Sequence, residues 1–61
     1  MSSSNAFYAR YKAGQPLFYV GTGQGTSLAL ETQARQLSLQ HPAARSIHLM
    51  VNGRETYIFR P

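Results

Sequence analysis

Only one stretch of this chain, Gly25 to Gln40, carries the spacing of a helix, and the segments on either side of it read as strands. That leaves few architectures, because paired strands must bury a face and one helix can cover only one. Leu30, Ala34 and Leu37 recur at the four-then-three interval that aligns side chains along a single helical face. Gln33, Arg35, Gln36 and Gln40 fill the other positions, as on a helix wetted on its far side. Thr26 or Ser27 can supply the N-cap oxygen, and Glu31 suits the positive end of the helix dipole. Pro42 disfavours the helical state at His41, so the helix is expected to stop near Gln40.

Ahead of the helix, Ala6 to Lys12 is aromatic-rich and alternating, which predicts a strand with Phe7, Ala9 and Tyr11 on one face and Tyr8, Arg10 and Lys12 on the other. The turn Ala13-Gly14-Gln15-Pro16 leads to a second short strand, Leu17 to Val20, and the loop is too short for anything but an antiparallel hairpin. After the helix, Ser46 to Val51 and Arg54 to Arg60 flank Asn52-Gly53, the dipeptide that favours a type I′ hairpin turn. An uninterrupted register from that turn pairs Val51 with Arg54, Leu49 with Thr56 and Ile47 with Ile58. Met50 then meets Glu55, His48 meets Tyr57, and Ser46 meets Phe59. The aliphatic set, with Phe7 and either Phe18 and Val20 or Leu17 and Tyr19, is expected to lie under the helix. The predicted fold is α+β in the order ββαββ, one helix on one face of a four-stranded antiparallel sheet. Residues 1–5 are expected to be a disordered N-terminal tail and residues 6–61 a single small domain.

A chain of 61 residues buries only about 60% of the surface its unfolded form exposes. It has no cysteine, so no disulfide or thiolate zinc site can staple it. Support must come from packing, self-association or a partner. The formal charge is +4, yet charged residues make up only 13% of the chain, so the basic balance reflects scarce acid. Arg10 and Lys12 are the close pair of cations, and the others are scattered along the sequence. No apolar run approaches the ~18 residues of a membrane span, and the polar start has none of the pattern of a signal peptide. A soluble cytoplasmic protein without a membrane partner is expected.

The glycine loop Gly21-Thr22-Gly23-Gln24-Gly25 sits between a strand and the helix, where backbone N–H groups can hold an anion. It lacks the Gly-x-Gly-x-x-Gly spacing, the parallel βαβ unit and the acidic residue about 20 positions on that a dinucleotide site needs. It reads as a tight connection that uses glycine for its dihedrals, with no cofactor. Residues 7–25, running from Phe7 to Tyr11 and then from Gly14 to Gly25, look like the opening hairpin of GIY-YIG nucleases, a family with a catalytic arginine on the following helix. The likeness ends there: Phe7-Tyr8-Ala9 lacks that family's glycine, and Thr26-Ser27 stand about where the arginine would be. No catalytic residue is carried over. With no aspartate or cysteine, and with Glu31 and Glu55 unpaired in sequence, the inventory predicts a non-enzyme without a metal site. His41 is expected to meet the last helical carbonyls, and His48 to be a sheet-surface residue.

The face of the sheet away from the helix has no cover, and uncovered apolar and aromatic faces mark interaction sites. Tyr8, Arg10, Lys12, His48, Met50, Tyr57 and Phe59 are the candidate partner-binding residues, with Tyr19 a further ring on that face. They suit a stoichiometric binding protein that docks on a larger protein or nucleoprotein complex. In general design such a protein is similar to small phage or mobile-element inhibitors, including some anti-CRISPR proteins, which combine one helix with a small antiparallel sheet. The alternative is a small basic regulator that binds nucleic acid directly through its aromatic and basic sheet face. A third option is a homodimer that buries that face.

Overall fold

In the computed structural model, which describes residues 5–61, the strands are β1 (Asn5–Arg10), β2 (Phe18–Thr22), β3 (Ser46–Val51) and β4 (Arg54–Phe59), with the helix α1 (Ser27–Gln40) between the two pairs. The order ββαββ is the expected one. Asn5, expected in the tail, is instead the first residue of β1, opposite Val51; the rest of the expected tail, residues 1–4, lies outside the described residues. The strand order is β2-β1-β3-β4, with every neighbouring pair antiparallel. The two hairpins are therefore joined through β1 and β3, which pair without interruption from Asn5–Val51 to Arg10–Ser46.

These central strands supply most of the core because they alone have partners on both sides. Phe7 and Ala9 of β1, Ile47 and Leu49 of β3, Leu30 and Ala34 of α1 and Ala44 of the connector are buried together. Phe7 and Ile47 are fully enclosed, and each such side chain stabilises the fold by about 1.5–3 kcal/mol. Tyr11, Val20, Leu37, Val51, Tyr57 and Phe59 close the rim. Phe18 is half exposed, with its ring edge-to-face against Tyr11 at 5.8 Å. Ser38, one turn beyond Ala34, is also buried, a position the apolar spacing alone does not mark.

The helix begins where Thr26 Oγ1 accepts the Ala29 N–H at 3.3 Å. Glu31 is exposed and outside the first turn, where the dipole's effect has fallen away, so the expected electrostatic contribution is not made. At the far end the His41 N–H donates to the Leu37 carbonyl at 2.9 Å, and its ring makes a long contact of 3.5 Å with the Tyr11 hydroxyl.

Two of the three glycines in the glycine loop are required, each for a different reason. Gly25 has φ +106°, a backbone state that disfavours any side chain. Gly23 has no positive φ but lies against the core: a Cβ there would fall 2.5 Å from Phe7 Cε2 and 2.7 Å from Leu30 Cδ2. Its N–H donates to the Asn5 carbonyl at 3.1 Å, pinning the loop to the start of β1. A Cβ on Gly21 would meet nothing.

The β3–β4 turn has φ +53° at Asn52 and +82° at Gly53, the signature of the type I′ turn. Val51–Arg54 and Met50–Glu55 pair as expected. Beyond them the register slips: Leu49 pairs with Tyr57, His48 with Ile58 and Ile47 with Phe59, leaving Thr56 as the extra residue of a bulge. The Thr56 hydroxyl donates to the Leu49 carbonyl at 3.3 Å at this irregularity. Because side chains alternate, the one-residue slip exchanges the faces of everything after it. Tyr57 and Phe59 turn to the helix side, and Ile58 turns away from it. Two rings cover more of the exposed flank of the core than one isoleucine does, and Arg35 lies 6.0 Å over the Phe59 ring. A matching slip in the first hairpin leaves Val20 unpaired between Phe7–Gly21 and Tyr8–Tyr19, and Val20 joins the core rim.

The glycine geometry sets a paired test. Gly23→Ala should lower unfolding stability by about 1–3 kcal/mol, because Phe7 and Leu30 must both give way. Gly21→Ala should stay within about 0.5 kcal/mol of the parent in urea denaturation.

Candidate functional site

The sheet face away from α1 is built from alternate residues of all four strands. Tyr8 and Arg10 come from β1, Tyr19 from β2, Ser46, His48 and Met50 from β3, and Glu55 and Ile58 from β4. Tyr8 and Tyr19 stand opposite each other, with ring centroids 5.8 Å apart and planes at 73°. Tyr19 is 59% exposed and offers a free ring surface.

His48 lies between Tyr8 on one neighbouring strand and Ile58 on the other. Although no helix covers this face, His48 is only 4% exposed, so it is not the wetted surface residue the sequence suggests. Its ring is held from both sides. Nε2 lies 2.7 Å from Ser46 Oγ, two residues back on the same strand face, and Nδ1 lies 3.2 Å from Glu55 Oε2. A carboxylate can only accept, so Nδ1 carries a hydrogen, and in the neutral ring Nε2 accepts the Ser46 hydroxyl proton. The connectivity is that of a hydroxyl, a base and an orienting carboxylate. Glu55, which has no partner legible in the sequence, is thus committed to His48.

Beside this chain of hydrogen bonds runs a groove of about 490 Å³, lined by Arg10, Ala13, Arg45, Ser46, His48, Glu55, Ile58 and Arg60. The three arginines arrive from separate segments at one end of the sheet: the last residue of β1, the residue before β3 and the residue after β4. The pairing Arg10–Ser46 puts the first two side by side, and the Arg45 N–H donates to the Arg10 carbonyl at 2.7 Å. None of the three guanidiniums has an ion pair among the described residues; the one such contact is His48 with Glu55. No three of His, Cys, Asp and Glu come together among the described residues.

Of the candidates drawn from the sequence, Tyr8, Arg10, His48 and Met50 share this face. Lys12 is exposed in the β1–β2 connection and does not line the groove. Tyr57 and Phe59 are placed on the helix side by the bulge, which corrects the expectation that they share the bare face. Arg45, Ser46, Glu55, Ile58 and Arg60 are gained. The β1–β3 register would have pointed to Arg45, but it depends on a strand order that the sequence does not specify. Comparison with family models, with curated proteins and with solved structures finds no match for this chain.

The buried ring makes a stability prediction. Ser46→Ala leaves Nε2 enclosed without its partner and should cost about 1–3 kcal/mol in chemical denaturation. Arg54→Ala, at the exposed hairpin tip, should change stability by less than about 0.5 kcal/mol.

Proposed function

We propose that this protein is a small, non-catalytic binding module that docks the bare face of its sheet onto single-stranded nucleic acid. One observation carries the reading: a groove lined by three arginines that have no ion pair among the described residues shares one open sheet face with the exposed Tyr19 ring, two strands away from His48. Bases stack on such rings whatever their sequence, while guanidiniums neutralise phosphates. Turning Tyr57 and Phe59 toward the helix removes much of the apolar surface an aromatic protein-docking patch would need. What is left is more cationic than the composition suggests.

A second reading has its own support. Leu28 and Leu39 are 75% and 77% exposed, and their separation of eleven residues is close to three full helical turns, so both project from one outer stripe of α1. That stripe lies on the opposite side of the molecule from the groove. It favours stoichiometric docking on a larger protein or nucleoprotein complex, the mode of small mobile-element inhibitors. No helix among the described residues is long and apolar enough to cross a membrane.

Fluorescence anisotropy with a labelled oligothymidine tests the first reading. Affinity should fall linearly with salt on logarithmic axes, and replacing Arg10, Arg45 or Arg60 by alanine should reduce the slope by about 0.7 each. Tyr19→Ala should weaken binding by about 1–3 kcal/mol without changing that slope. An absence of binding, together with a protein partner retained from nuclease-treated lysate and lost on Leu28→Ala and Leu39→Ala, would transfer the function to the helix.

A further inference from the structure

We infer that the arginine groove is a pocket for a phosphate monoester, the terminal phosphate of a nucleotide or nucleic-acid strand, and that His48 keeps it cationic by holding Glu55 away from the arginines. The inference deepens the nucleic-acid reading and rests on it for the source of the phosphate.

Placement is the first argument. A binding track for an internal backbone would spread its cations along the face, as successive phosphates require. Here Arg10, Arg45 and Arg60 converge on one end, while Lys12 lies in a turn, Arg35 stacks over Phe59 and Arg54 sits at the hairpin tip. Charge is the second. Three arginines against one glutamate leave an excess of two positive charges around the groove. A monoester carries about −1.5 to −2 near neutral pH, against −1 for each internal diester. Size is the third: about 490 Å³ falls within the range of pockets that take small organic ligands, and exceeds what a lone oxyanion fills.

The carboxylate explains why His48 is built in. Glu55 lines the same groove as three guanidiniums, and a carboxylate so placed would ordinarily take one of them as a bidentate partner. It does not. Its Oε2 lies 3.2 Å from His48 Nδ1, and the ring cannot swing away because Ser46 holds Nε2 at 2.7 Å. His48 therefore acts as a positioning residue whose effect on the ligand passes through Glu55.

The test is an NMR titration of the full chain with adenosine 5′-monophosphate and with adenosine, beside anisotropy of one oligonucleotide carrying either a 5′-phosphate or a 5′-hydroxyl. The monophosphate should bind at least tenfold more tightly than adenosine and shift the Arg10, Arg45 and Ser46 amides. Arg60→Ala should remove the preference, whereas Arg54→Ala, with the same loss of charge, should keep it. Glu55→Gln should tighten binding several-fold. His48→Ala should weaken it, and His48→Ala with Glu55→Gln should restore it, which a merely misfolded variant would not do. Equal binding of monophosphate and adenosine, or equal losses for Arg54→Ala and Arg60→Ala, would overturn the pocket. The hydroxyl oligonucleotide separates the two readings. If it binds while the monophosphate behaves like adenosine, docking survives and the pocket falls. If the monophosphate is preferred and neither oligonucleotide binds, the pocket stands as a free-mononucleotide site and strand docking falls.

Discussion

A single helix laid on four strands can dry only one side of the sheet, and most of this structure follows from how the chain meets that limit. The helix must come close, and small residues permit it: Ala9, Ala34 and Ala44 are buried in the contact layer, and Gly23 lets the loop rest directly on Phe7 and Leu30. The central strands can then enclose Phe7 and Ile47 fully. The flank over β4 must be covered as well. The bulge at Thr56 solves this by turning Tyr57 and Phe59 toward the helix. A local break in hydrogen bonding is exchanged for two rings packed against the rim of the core.

The other side of the sheet cannot be dried in the same way, and it is organised by polar contacts instead. Enclosing an imidazole without partners would be costly, but both nitrogens of His48 are matched, by a hydroxyl on its own strand and a carboxylate on the next. No buried side-chain polar atom among the described residues lacks a partner. This ordering spends the one acid on this face on a histidine and leaves the arginines without an acidic partner among the described residues. A sheet face that is rigid at its centre and unneutralised at its end is suited to receive an anion, since the groups that would meet it need no rearrangement first.

Much of the fold was legible because its signals are local. Leu30, Ala34 and Leu37 announce the helix face, Thr26 its start and Pro42 its end, and Asn52-Gly53 announces the second hairpin with its turn type. The site was less legible because it depends on where the register fails. Nothing in Arg54-Glu55-Thr56-Tyr57 marks Thr56 as the extra residue: alternation reads equally well in either phase, and the burial of two rings against the helix decides between them. Once that phase is wrong, Tyr57 and Phe59 fall on the bare face and Ile58 under the helix, as the uninterrupted register has it. The burial of His48 was hidden for a related reason, since Ser46 and Glu55 become its partners only when the strands are paired. Arg45 lies outside the expected strands, where face assignments by alternation do not reach, and Arg60, expected as the last residue of the fourth strand, lies just beyond β4.

The scatter of cations along the sequence illustrates how little linear spacing says about a surface. Residues 10, 45 and 60 look unrelated, and a scan for close cations picks out only Arg10, which it pairs with Lys12. Yet the strand order β2-β1-β3-β4 obliges the end of β1, the start of β3 and the end of β4 to share one edge of the sheet, because each neighbour runs antiparallel to the last. Any residue at or just beyond those three termini is brought to the same place. Arginine occupies all three positions, so half of the six basic residues of the chain gather at one end while none occupies the middle of the face. Like charges brought together without a counter-ion destabilise a small domain. Their joint presence opposes folding, and an anion bound there, as proposed, would stabilise the folded chain by mass action. A domain this short has little other reserve, so under that proposal the groove and the fold would be linked through the charge of what binds there.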